Sequence, residues 1–206
     1  MSAEFADEKI RRGQVLRLQG RSEDAEAFFK QAIADDPEHA YAYFELALCL
    51  MDMEGHRKEA LESIDRAIAL EPEYSVYHAT RAMVLSVLSR GKDALASADA
   101  AIQLDPNSAF ARTSKARAYL VLERWAKAEA CAREALTLNA DDNSAGNILA
   151  MALRLQGKLE ENADAVAQLL GDAPEDPLAH VNAGWSSLQR GDYKSAEHHF
   201  RESLRL

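Results

Sequence analysis

The 206-residue sequence lacks any apolar run of the roughly eighteen residues that a bilayer-spanning helix requires. The first residues, MSAEFADEKIRRG, put no apolar core behind their charges and do not read as a secretory signal. A cytoplasmic location is the expectation. Positive charge is scarce, with 24 Lys and Arg against 34 Asp and Glu, a net charge of −10 and a pI near 5.1. Phosphate backbones and anionic lipid surfaces would be repelled, so neither nucleic acid nor direct membrane insertion is expected. Only two cysteines occur, Cys49 and Cys131, far apart and among apolar neighbours on apparent helices. They read as small buried packing residues, since no activating base stands beside them in the sequence.

The signatures of chemistry are missing as well. There is no Gly-rich phosphate loop, no H-E-x-x-H and no C-x-x-C. Cys131 has Glu129 and Glu134 nearby but no histidine. The six histidines are scattered, and the adjacent pair His198–His199 would point about 100° apart on a helix, a poor chelating geometry. That pair is expected on a solvated helix face. The acidic residues mostly fall in turns and on outer faces. The reading is therefore of a chain that is not an enzyme, with no catalytic residues, no metal and no cofactor.

What the chain does contain is repetition. The stretch EALESIDRAIALEP, ending at Pro72, returns as DALASADAAIQLDP, ending at Pro106, 34 residues later. An earlier copy, DAEAFFKQAIADDP, ends at Pro37; later ones are KAEACAREALTLNA, ending at Ala140, and ENADAVAQLLGDAP, ending at Pro174. SAEHHFRESLRL closes the chain as a sixth. Each of the last five copies follows another segment with apolar residues at three- and four-residue steps, such as AYAYFELALCLMDM or LAHVNAGWSSLQR, and strict alternation is almost absent. The unit is thus helix, short turn, helix, short turn. Gly20, Gly55, Gly91, Gly157 and Gly191 fall where the turn inside each pair is expected.

A 34-residue helix pair, the small residues Ala25, Ala60, Ala94, Ala128 and Ala196, their partners Ala32, Ala67, Ala101 and Ala135 seven residues on, and the closing Pro37, Pro72 and Pro106 resemble the tetratricopeptide repeat. The turn LQRGDYKSAEHHF, 188–200, is the best match to that family's pattern. The resemblance implies an all-α, right-handed α-solenoid of tandem antiparallel helix pairs. It covers residues 6–206 of a single domain, 1–206, with units 6–39, 40–74, 75–108, 109–142, 143–176 and a shortened 177–206. One helix pair cannot bury its apolar stripe alone, so copies stack and cover one another, with alanine where helices approach closely. The fifth unit departs, carrying Asn162 and Leu169 in the two alanine positions, so looser or shifted packing is expected there.

The resemblance further implies that the first helix of each pair lines a concave surface that binds a partner. In register, that surface holds Ile10, Gln14, Arg17 and Leu18; Tyr41, Phe44, Leu48, Met51 and Asp52; Val76, Ala79, Met83 and Val87; Phe110, Thr113, Arg117 and Val121; Asn147, Met151 and Arg154; and Val181, Trp185 and Gln189. The best-known relatives clamp a C-terminal carboxylate with lysine, asparagine and arginine. The corresponding positions here read Ile10, Gln14, Glu45, Val76 and Thr80, so that clamp is absent. Tyr41, Phe44, Met83 and Phe110 are read as exposed groove; Leu48, Val87 and Val121 fit groove and inter-unit core equally. The partner-binding candidates are Tyr41, Phe44, Met51, Val76, Met83, Phe110, Arg117, Met151, Arg154 and Trp185. They describe a scaffold that holds an apolar peptide or helix of unknown identity, with Arg117 and Arg154 meeting an acidic group at one end. Two alternatives start from the abrupt ending at Leu206: homodimerisation through the uncapped C-terminal face, or a regulatory arm of a larger, membrane-anchored protein.

Overall fold

The computed structural model describes residues 2–206, with side chains from Phe5 onward. It contains twelve helices and, among the described residues, no strand. The first compact unit, 1–106, holds α1 (Ser2–Leu18), α2 (Ser22–Asp35), α3 (Ala40–Met51), α4 (Arg57–Leu70), α5 (Ser75–Val87) and α6 (Gly91–Leu104). The second, 107–206, holds α7 (Ala109–Val121), α8 (Trp125–Leu138), α9 (Asn143–Leu155), α10 (Leu159–Asp172), α11 (Pro177–Gln189) and α12 (Tyr193–Arg205). Each unit is three antiparallel helix pairs in series, the tandem arrangement of an α-solenoid. The first helix starts at Ser2, earlier than the unit boundary at Ala6.

Small residues explain the close stacking. Ala25, Ala32, Ala60, Ala67, Ala94, Ala101, Ala128 and Ala135 are all fully buried. A second small position lies on the first helices, at Gly13, Ala47, Ala82, Ala116, Ala150 and Gly184. Where it is glycine, an aromatic fills the space: a Cβ on Gly13 would come 2.6 Å from Phe29, and one on Gly184 would come 2.5 Å from Phe200. Larger and smaller side chains thus trade volume across the pair, which keeps the interior near close packing. The fifth unit follows the same rule. Leu169 is accommodated because its neighbour is Gly146, where a Cβ would come 2.9 Å from Leu169 Cδ1. Asn162 is buried and donates from Nδ2 to the Ala150 carbonyl at 2.8 Å. A cleft of about 230 Å³ remains beside Gly146, Leu149 and Leu169. The shift expected there takes the form of an exchange of volumes plus a small gap.

The turns correct one reading. A left-handed residue follows every first helix, at Gly20, Gly55, Ser89, Glu123, Gly157 and Gly191. Gly91 is not among them: it is the buried first residue of α6, and Ser89 takes φ 59° in its place. The fourth turn uses Glu123, at φ 56°. The turn closes through backbone bonds such as Arg90 N to Leu85 O at 2.8 Å and Arg124 N to Tyr119 O at 2.9 Å, which hold the backbone whatever the side chain. The turns between pairs are similarly insensitive. Asp36 and Asp105 are extended before a proline, as the proline ring demands, yet Asn139 before Ala140 adopts the same φ of about −140°.

Candidate functional site

Successive first helices approach one another within the units: α1 with α3, α7 with α9, and α9 with α11. Second helices of successive pairs make no comparable contact among the described residues. The candidate residues sit on these first helices.

In the first unit the candidate surface is polar at one end and aromatic at the other. Gln14 donates to the Tyr41 hydroxyl at 2.9 Å and to Glu45 Oε1 at 2.8 Å. Arg17 reaches Asp52 at 3.2 Å, while its Nε lies 3.9 Å from Glu45 Oε2 and both atoms are buried without a hydrogen bond. Burial and the Glu45 carboxylate push the Tyr41 phenol up to about 12. From Tyr41 a chain of rings runs inward: Tyr41 to Phe44 at 5.6 Å, Phe44 to Tyr77 at 5.2 Å, Tyr77 to Tyr74 at 4.6 Å. Tyr77 is buried and Phe44 half-buried. Phe44 therefore belongs as much to the joint between α3 and α5 as to an open groove. Met83 is half-buried too, as are Met51, Val76, Leu48 and Val87, whereas Tyr41 is 37% exposed.

In the second unit the joint between pairs is a ladder of hydrogen bonds. Thr113 on α7 donates to Asp142 at 2.6 Å, and Asn147 on α9 donates to Asp176 at 2.7 Å. Asn182 on α11 donates back to Asn147 Oδ1 at 2.7 Å. Asp142 and Asp176 also cap α9 and α11, accepting from Ala145 N and Leu178 N. Beside this buried ladder stand Phe110, Met151 and Trp185, exposed by 37%, 38% and 45%. Arg117, Arg154 and Val121 are half-buried. The Arg154 guanidinium lies 5.4 Å from the centre of the Trp185 ring, and the Phe200 ring meets Trp185 edge-on at 5.7 Å. Leu178, at the register position of Tyr41 and Phe110, is exposed as well. Counting forward by the repeat length from Phe110 identifies it.

Burial shapes the cysteines. Cys49 is buried with its Sγ donating to Ser22 O at 3.1 Å, and burial pushes its thiol up to about 11. No group of three or more metal-ligating side chains occurs among the described residues. One histidine reading needs correcting. His198 is exposed, but His199 is half-buried with its Nδ1 3.2 Å from His180 Nδ1 on α11. Neighbours on a helix diverge by about 100°, so one of the pair faces water and the other faces the adjoining helix.

Comparison with known proteins gives a consistent picture. Sequence profiles described as "Tetratricopeptide repeat" match residues 16–84, 113–177 and 163–206. The search of curated proteins finds no match. Among solved structures, a thermophilic TPR protein of Thermus thermophilus is 25% identical, with 89% of this chain and 99% of that one covered at a TM-score of 0.79. PilW, a type IV pilus biogenesis factor, is 18% identical, with 94% and 90% covered and a TM-score of 0.81. YrrB, a TPR protein with an unusual peptide-binding site, is 21% identical, with 86% and 91% covered and a TM-score of 0.55. No helix among the described residues is long and apolar enough to cross a membrane.

Proposed function

Since this chain belongs to the tetratricopeptide repeat family, we propose that it is a non-enzymatic scaffold whose first-helix faces hold an extended or helical segment of a partner protein. The observation that carries this reading is the placement of large apolar side chains. Tyr41 in the first unit, and Phe110, Met151 and Trp185 in the second, stand exposed on first helices at groove positions of the register. Exposed aromatics set among fixed polar groups favour association, because covering them removes apolar surface from water. Backbone rigidity helps: each residue sits on a helix locked to its neighbour, so little order is lost when a partner docks.

The test uses the exposed positions. Phe44 is unsuitable, because a charge there would break the aromatic joint. The intact chain and a Tyr41→Glu/Phe110→Glu/Trp185→Glu variant are used as paired baits in lysate of the source organism, with circular dichroism confirming equal helicity. A partner held by the first and lost by the second supports the reading; partners held equally by both oppose it.

A further inference from the structure

We propose that the first-helix face of the second unit recognises an acidic partner segment, one that places an Asp or Glu carboxylate beside an apolar side chain, with Arg154 and Trp185 as the joint recognition pair. The inference rests on the scaffold reading and specifies its ligand chemistry. Arg117, Met151 and Trp185 hold one register position on α7, α9 and α11, and Arg154 follows Met151 by about one helical turn. The face therefore alternates cation, apolar, cation and aromatic groups.

The two cations are unusual within this acidic chain. Most guanidiniums with any burial have a carboxylate partner: Arg81 meets Asp65 at 2.6 Å, Arg112 meets Glu134 at 3.5 Å, and Arg17 meets Asp52. Neither Arg117 nor Arg154 has an ion pair or hydrogen bond among the described residues. Asp142, the carboxylate whose field reaches Arg117, already accepts from Thr113 and from Ala145 N. Arg154 is more exceptional. Its Nε is buried and unpartnered, and burial lowers its proton affinity. A half-buried guanidinium without an acceptor is costly unless something completes it. The guanidinium carbon lies 5.4 Å from the Trp185 ring centre, and its two terminal nitrogens, unlike the buried Nε, remain to meet a carboxylate in two-point fashion.

The platform beneath is built rather than incidental. Gly184 has no Cβ, so Phe200 slides in beside it and braces Trp185 edge-on. Trp185 and Met151, both exposed, offer apolar surface to a partner side chain. The two guanidiniums make this face a local exception to a net charge of −10, which suits a short segment carrying one or two carboxylates rather than a polyanion. A single-stranded nucleic acid offers bases to stack on Trp185, but its many phosphates are repelled by the chain's net charge of −10.

The experiment pans short random peptides displayed on phage against the full chain, then measures dissociation constants for synthesised winners. The expected result is a pool rich in Asp or Glu next to an apolar residue. Affinity should fall about tenfold or more in Arg154→Gln and less in Arg154→Lys, which keeps charge but loses the fork. Arg154→Met serves as the second variant should the Gln form prove unstable. A pool without acidic bias, or one indifferent to folded Arg154→Gln and Arg154→Met, overturns the proposal. If those peptides still depend on Tyr41, Phe110 or Trp185, the scaffold reading survives alone. Peptides indifferent to every one of these substitutions, or no peptide at all, would end both. Tighter binding of a single-stranded oligonucleotide than of any peptide would also overturn it.

Discussion

The two units repeat one backbone plan but join their helix pairs by different chemistry. In the first, the joint from α3 to α5 is the aromatic run Tyr41, Phe44, Tyr77 and Tyr74, and none of the helices α2 to α6 has a side-chain N-cap. In the second, Ser108, Asp142, Asp176 and Asp192 cap their helices, and Asp142 and Asp176 also receive Thr113 and Asn147 from the preceding pair. A helix start leaves four N–H groups unsatisfied, and a stacked pair leaves apolar area to cover. The first unit concentrates on area and leaves those N–H groups without a side-chain acceptor. The second spends its buried positions on acceptors, which is how Asn147 and Asn182 come to be buried. The repeat thus specifies where a joint lies, and the residues in it remain free to differ.

The sharpest way to break the comparison is at its largest side chain. Tyr77→Ala removes a fully buried ring from the aromatic joint and should cost about 3–5 kcal/mol. Hydrogen exchange resolved by peptide should show the loss in α3 to α6 and leave α9 to α12 nearly unchanged. Equal loss in both halves would mean that the units do not open separately.

The counterpart in the second unit is Asn147→Ala. It deletes the donor to Asp176 and the side-chain acceptor for Asn182, so half-buried Asp176 and buried Asn182 each lose their shorter bond across the joint. The expected cost is about 1–3 kcal/mol, smaller than for the ring because little apolar area is removed. Exchange at Leu178 and its neighbours, where the Asp176 cap acts, should rise first. A cost as large as that of Tyr77→Ala would show that the ladder carries more than its hydrogen bonds.

A third comparison tests what the units share. Ser89 and Glu123 adopt the left-handed conformation that glycine serves elsewhere in the chain. A side chain in that region is strained, so Ser89→Gly and Glu123→Gly should each stabilise by about 0.5–1 kcal/mol, one in each unit. Urea midpoints would measure it. Stabilisation of one and not the other would locate compensating contacts that hold the strained turn.

These turns mark where legibility in the sequence ended. The helix pairs, their length and the buried alanines follow from periodicity and the spacing of small residues, because stacking imposes them on every copy. The left-handed position at Ser89 carries no such mark: the conformation is enforced by backbone hydrogen bonds, while the visible glycine, Gly91, lies two residues on. The exposed members of the candidate surface, Tyr41, Phe110, Met151 and Trp185, were readable from register. The half-burial of Phe44 was not, since it depends on Tyr77 meeting it from the next first helix. Likewise Phe200, which braces Trp185, lies on a second helix where no groove residue would be sought.

The smallest effect concerns pH, and it separates the units again. His199 is held below its ordinary value near 6.5, first by burial and then by the neighbouring His180 and His198, with the Asp192 carboxylate opposing. Arg190 lines the same small cleft beside α10 and α11. A histidine with a lowered folded value disfavours the proton in the folded chain, so the unfolded chain takes it up first as pH falls. The stability linked to neutral His199 is complete above about pH 6.5 and is lost as pH falls through its lowered folded value. Protection of α12, corrected for the intrinsic slowing of amide exchange in acid, should therefore fall between about pH 7 and pH 5.5. His199→Asn should flatten that dependence, while His198→Asn should leave it in place. A dependence that survives in His199→Asn would show that the half-buried His199 ring is not its source.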